Sequence, residues 1–132
     1  MHTCHGNFRS SWATEGGYDP VAEAMFRCRI DGFFMEFDSE RSGTFEPLKY
    51  LSPSSKVVLG LVTTKVGRIE SEDELLRRID EAAKIVPLEN LCLSPQCGFS
   101  SHEIGNKLSH DEQWRKLELV VNVARKVWGD RR

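Results

Sequence analysis

Two stretches of the chain repeat their apolar side chains at helical spacing. Leu75, Leu76, Ile79, Ala82, Ala83 and Val86 follow the capping-box sequence Ser71-Glu72-Asp73-Glu74, and Pro87 stops the run. Trp114, Leu117, Val120, Val121, Ala124, Val127 and Trp128 follow a second box, Ser109-His110-Asp111-Glu112. A third helix is predicted from Asp19 as N-cap and Pro20 at the first helical position. It carries Val21, Ala24, Met25 and Cys28 on its apolar face and ends at Asp31-Gly32. Between the helices the pattern changes to short continuous apolar runs: Gly32 to Phe37, Val57 to Val62 and Leu91 to Leu93. Runs without polar alternation fit strands of a parallel sheet. Residues 1–4 read as the end of another strand, and a short helix is predicted around Phe45 to Leu51, with Pro47 in its first turn. The order is β-α-β-α-β-α-β-α, which argues for an α/β fold with a parallel sheet. Four such units make half of a (β/α)8 barrel, whose full form needs about 250 residues. Residues 1–132 are read as a single partial-barrel domain.

Composition changes this picture little. The chain has 132 residues, 39% hydrophobic and 29% charged, with a formal net charge of -2. That balance argues against partners such as nucleic acid or an anionic membrane surface. No apolar run approaches the roughly 20 residues of a membrane span, and no secretory leader is visible. The four cysteines, Cys4, Cys28, Cys92 and Cys97, are too few for a disulfide scaffold. A reducing, cytoplasmic setting is expected. Cys28 and Cys92 stand in apolar surroundings and are read as small buried hydrophobes.

The chemistry concentrates at strand ends. His2-x-Cys4 puts imidazole and thiol on the same side of an extended segment. Both are favoured zinc ligands. Glu36 ends the second apolar run, and Cys97 follows the last one in Ser94-Pro95-Gln96-Cys97-Gly98. In parallel α/β folds active sites lie at the C-terminal ends of strands. His2, Cys4, Glu36 and Cys97 are therefore read together as one zinc centre. Close Cys-x2-Cys pairs, usual in structural zinc sites, are absent, so a reactive site is expected. The carboxylate is the natural ligand to loosen when a substrate thiol arrives. The chemistry is attack of that thiol, as thiolate, on an electrophilic carbon. Blander alternatives remain open at this point: His2 as a terminal residue, Cys97 as a free thiol and Glu36 as a salt-bridge partner of Arg41. His5 competes with His2, but an immediate neighbour of Cys4 points away from it in a strand. His102 and His110 are read as a solvent-facing loop residue and a helix start. The charges of the 71–86 helix are read as a solvated face, and Trp114 and Trp128 as core.

The segments HTCHGNFRSSW, GGYDPVAEAMF, DGFFMEFDSERSGTFEPLKYL, KVVLGLVTTK and LCLSPQCGFSS resemble the C-terminal catalytic region of cobalamin-independent methionine synthases, above all the shorter single-barrel bacterial members. The resemblance covers essentially the whole chain. It implies the C-terminal half of a (β/α)8 barrel of the uroporphyrinogen-decarboxylase-like type. The family's zinc ligands fall on His2, Cys4, Glu36 and Cys97. The implied reaction is methyl transfer from a methyl-tetrahydrofolate to the thiol of homocysteine, giving methionine. The family's loop after the penultimate strand carries a histidine, whereas here it reads TTKVGR, which leaves another methyl donor as an alternative. A half-barrel exposes two edge strands and an inner face, so self-association or pairing with a missing half is expected. The competing reading is a non-catalytic zinc-binding or assembly fragment of a larger barrel, inactive alone.

Overall fold

In a computed structural model, which describes residues 1–100 and 103–130, four parallel strands form one sheet in the order β1-β2-β3-β4. They are β1 (His2–Thr3), β2 (Gly32–Glu36), β3 (Lys56–Val62) and β4 (Leu91–Pro95). The helices are α1 (Ala22–Phe26), α2 (Glu72–Ala83) and α3 (His110–Trp128), and the second crossover carries a short 3-10 helix, Glu46–Tyr50, with proline in its first turn. His102, expected in a solvent-facing loop, lies outside the described residues; His110 opens α3 as expected.

Because side chains alternate along a strand, the register sorts the sheet into two faces. Phe33, Val57 and Leu91 form one aligned row, and Met35, Leu59 and Leu93 another. These rows meet the helices and build the core with Phe26, Phe37, Leu48, Leu75, Ile79 and Val123. Phe26 packs edge-on to Phe33 with ring centroids 4.8 Å apart, and Phe37 meets Phe45 at the same distance. The alternate row, His2, Phe34, Val58 and Cys92, faces away from the helices, and Phe34 there is 50% exposed. In a closed barrel this is the side that neighbouring strands fill with packed layers.

Several sequence expectations shift. The first helix is a single turn and a half starting at Ala22, capped by no side chain, because the Tyr18 carbonyl already accepts the Val21 and Ala22 amides in a preceding turn. Its buried residues are Ala22, Met25 and Phe26, while Val21, Ala24 and Cys28 are exposed. Cys28 is thus not a buried hydrophobe, and Cys92 is only half-buried, since its row faces the open side of the sheet. The Ser109 box forms in full, with Glu112 reaching back to the Ser109 amide. Ser71 accepts the Glu74 amide, but the return bond is missing. On α3 the packed residues are Leu119, Val120, Val123, Val127 and Trp128. Trp114 is 68% exposed, so only Trp128 joins the core.

One fully buried position on α3 lies outside the apolar set that the helical spacing picked out, which had Leu117 in it, and is taken by a lysine. Lys116 is fully buried, donating to Glu70 Oε2 at 2.9 Å and to the Arg68 carbonyl. Glu70 Oε1 in turn accepts the Thr63 amide at 3.0 Å. This ion pair fastens the loop after β3 to the last helix.

Candidate metal centre at the strand ends

The sheet delivers its chemistry from opposite edges. His2 and Cys4 belong to β1 and the segment after it; Cys97 follows β4. Three strand spacings would separate these edges by roughly 14 Å in a flat sheet. Yet one ligand atom from each of His2, Cys4 and Cys97 lies within 4.8 Å of the others. The curl of the sheet brings them over its C-terminal end, where β-α loops meet. His2 and Cys97 border a cleft of about 220 Å³ with Phe34, Glu36 and Gly60.

Local backbone explains how each side chain arrives. Cys97 sits at φ 48°, in the left-handed region that non-glycine residues enter rarely, and Gly98 follows at φ 134°. This turn swings the thiol from the end of β4 back over the sheet. Gly60 leaves room beneath it: a Cβ there would stand 2.9 Å from the Met35 carbonyl oxygen and 3.4 Å from the Gln96 Cα. After Cys4 the chain closes a tight hairpin, with Phe8 and Ser11 exchanging backbone hydrogen bonds around Arg9 and Ser10, both at positive φ.

Glu36 lines the same cleft but lies outside the trio, and its oxygens are occupied. Oε2 accepts the His5 amide at 2.7 Å, while Oε1 accepts from Arg41 and lies 3.3 Å from Lys65 Nζ. Lys65 also donates to Asp38 Oδ2 at 3.0 Å, and the Arg41 guanidinium stacks 4.5 Å from the Trp12 ring centre. Burial pushes the Glu36 carboxyl up, but the His5 amide, Lys65 and Arg41 together hold it below its ordinary value. His5 turns inward, its Nε2 donating to the Gly16 carbonyl at 2.8 Å, and it stands apart from the trio.

The thiol of Cys97 is pushed up by burial first, then by its hydrogen bond with Cys4 and the negative charges of Cys4 and Glu36. Two thiols and an imidazole gathered on one spot, beside a buried carboxylate, fit a divalent cation that favours nitrogen and sulfur. The donor set suits zinc chemically. All four cysteines are free thiols.

Sequence reasoning passed over Asp38, Lys65, Asn7, Thr64 and Gln96. Asp38 carried a faint signal, standing two residues beyond Glu36 and so on the same side of an extended chain. The other four reach the site from loops whose paths no periodicity describes.

Residues 1–126 match the family model described as the catalytic domain of cobalamin-independent synthases. The uncharacterized protein YxjG of Bacillus subtilis is 55% identical over 130 residues, covering 97% of this chain and 34% of its own. A Listeria monocytogenes protein crystallised as a candidate vitamin-B12-independent methionine synthase superposes with a TM-score of 0.73. It is 45% identical and covers 98% of this chain and 35% of its own. A B12-independent methionine synthase of Shewanella sp. W3-18-1, solved with selenomethionine, superposes with a TM-score of 0.76 at 22% identity, covering 96% of this chain and 37% of its own. The chain spans about a third of the length of these relatives, and its fold is that of part of their barrel. Among the described residues no helix is long and apolar enough to cross a membrane.

Proposed function

Because the chain belongs to the cobalamin-independent methionine synthase catalytic-domain family, we propose that it bears the zinc-binding part of a barrel that methylates the thiol of homocysteine to give methionine. Methyl-tetrahydrofolate is the proposed donor. His2, Cys4 and Cys97 are the proposed nitrogen and sulfur ligands, with Glu36 the fourth, oxygen donor. Zinc held there would supply a Lewis acid that keeps the substrate thiol deprotonated at neutral pH. The chain's own residues do the rest. Phe34 and Phe99 give the cleft apolar walls that limit water beside the sulfur. Lys65 and Arg41 keep Glu36 ionised at the cleft edge, where a carboxylate can yield its place to an incoming thiol.

The observation that carries this reading is the meeting of His2, Cys4 and Cys97 from the two outer segments of the sheet. Elemental analysis tests it: about one zinc per chain, the stoichiometry of a four-ligand site, is expected, with loss in Cys97→Ser. Equal zinc content in both proteins refutes it. X-ray absorption then reads the chemistry, since added homocysteine should raise the sulfur count around zinc.

A second reading rests on the open sheet. Among the described residues both β1 and β4 have one unpaired edge, and Phe34 on the inner row is half exposed. The chain is then the metal-bearing portion of an assembly, closed by a second copy or by the rest of the barrel, and it is inactive alone. Zinc binding without a homocysteine-dependent change in the zinc spectrum supports this reading.

A further inference from the structure

The thiols of Cys4 and Cys97 approach from strands that do not touch, so something must hold their segments together across the intervening sheet. We propose that Thr64, two residues beyond β3, is the positioning residue of the metal centre. Its hydroxyl is the central link of a brace from Asn7 to Gln96 that sets the Cys4–Cys97 approach. The inference rests on the donor set proposed above.

Thr64 is fully buried. Its Oγ1 accepts from Asn7 Nδ2 at 3.1 Å, on the segment that follows Cys4. The same hydroxyl donates toward Gln96, with the backbone carbonyl and the side-chain Oε1 both at 3.0 Å. Gln96 Nε2 points at the Cys97 sulfur. Asn7 Nδ2 also lies 3.3 Å from the Gly98 carbonyl, so the brace grips Cys97 from both sides. The Thr64 carbonyl accepts from Asn106 Nδ2 at 2.8 Å, which fixes the brace to the loop before α3. Asn7, Thr64 and Gln96 are all buried, where hydrogen bonds are strong and a lost partner is costly.

The geometry also explains how Cys97 keeps a left-handed backbone without being glycine. Such a conformation persists only when its surroundings over-determine it. Bonds to the residues on either side of Cys97 supply that constraint. Without them the turn relaxes toward ordinary φ and carries the thiol away from Cys4.

The test compares Thr64→Val, which keeps the shape and removes the hydroxyl, with Thr64→Ser, which restores it. Both are made in protein whose Cys28 and Cys92 are serine, so that Cys4 and Cys97 are the remaining thiols. The metal-free readout is the rate of disulfide closure with diamide. Thr64→Val is expected to slow closure by about tenfold, the effect of one lost buried hydrogen bond, while Thr64→Ser stays near the parent rate. The second readout is cobalt(II) binding by its sulfur-to-metal charge-transfer band, with affinity reduced in Thr64→Val and restored in Thr64→Ser. Should Thr64→Val not fold, Asn7→Ala breaks the same brace from the other side and is expected to slow closure likewise. Parent-like closure in folded Thr64→Val or Asn7→Ala overturns the brace. Fast closure in the parent with no cobalt binding removes the metal reading instead, and leaves the brace judged on the closure rates.

Discussion

Replacing Lys116 by methionine tests the most unusual feature of the packing. Methionine can fill the space of the lysine stem, so the perturbation is electrostatic rather than a loss of volume. The ammonium is fully buried and its carboxylate partner, Glu70, is nearly so. Removing it leaves Glu70 Oε2 without its cation and the Arg68 carbonyl without its donor; among the described residues only the Thr63 amide still serves the carboxylate. Breaking a buried pair from one side costs roughly 3–5 kcal/mol. Against a total stability of about 5–15 kcal/mol, this takes a large share. The midpoint of thermal unfolding should fall by roughly 10–20 °C. The assay is urea denaturation followed by circular dichroism. The decisive comparison is the double variant Lys116→Met with Glu70→Gln. Glutamine still offers the Thr63 amide an acceptor and removes the stranded charge, so the double variant should regain at least about 1 kcal/mol over Lys116→Met. A Lys116→Met protein within about 1 kcal/mol of the parent, or no recovery in the double variant, refutes the reasoning.

Further outcomes follow from other contacts. Gly60→Ala places a Cβ 2.9 Å from the Met35 carbonyl oxygen on the neighbouring strand, so urea unfolding should show a loss of about 1–3 kcal/mol. Ser109→Ala should cost about 1 kcal/mol and more than Ser71→Ala, because only Ser109 has the reciprocal bond; equal costs would contradict the box geometry. The folded state holds the Glu36 carboxyl below its ordinary value, so its contribution to stability is complete above about pH 4.3, the unfolded value, and drains away as pH falls through the lower folded one. Stability measured from pH 2 to 6 should therefore drop on the acid side, and Glu36→Gln should flatten that part of the curve.

The sequence by itself determined the class of fold and pointed to strand ends for its candidate ligands. Short, β-branched apolar runs such as VVLGLV fit buried strands, and the spacing in the 71–86 and 109–128 segments fits helices, because period is a local property of the backbone. It also marked His2, Cys4 and Cys97, since few residue types bind zinc and strand ends are where a parallel sheet gathers them. The tertiary structure decided which side chains face what. Helical period pointed Leu117 and Trp114 inward on α3; the structure instead packs Leu119 on the core, buries Lys116 against Glu70 and leaves Trp114 in solvent. A lysine reads as surface until a buried carboxylate from a distant loop is known to await it. Glu36 was visible as an acid at a strand end, but its partners were divided between the residue foreseen, Arg41, and one that was not, Lys65, brought by the next strand's loop. The brace through Thr64 lay beyond reach for the same reason. Hydrogen bonds between loops 57 and 32 positions apart depend on the curl of the sheet, and no local pattern encodes that curl.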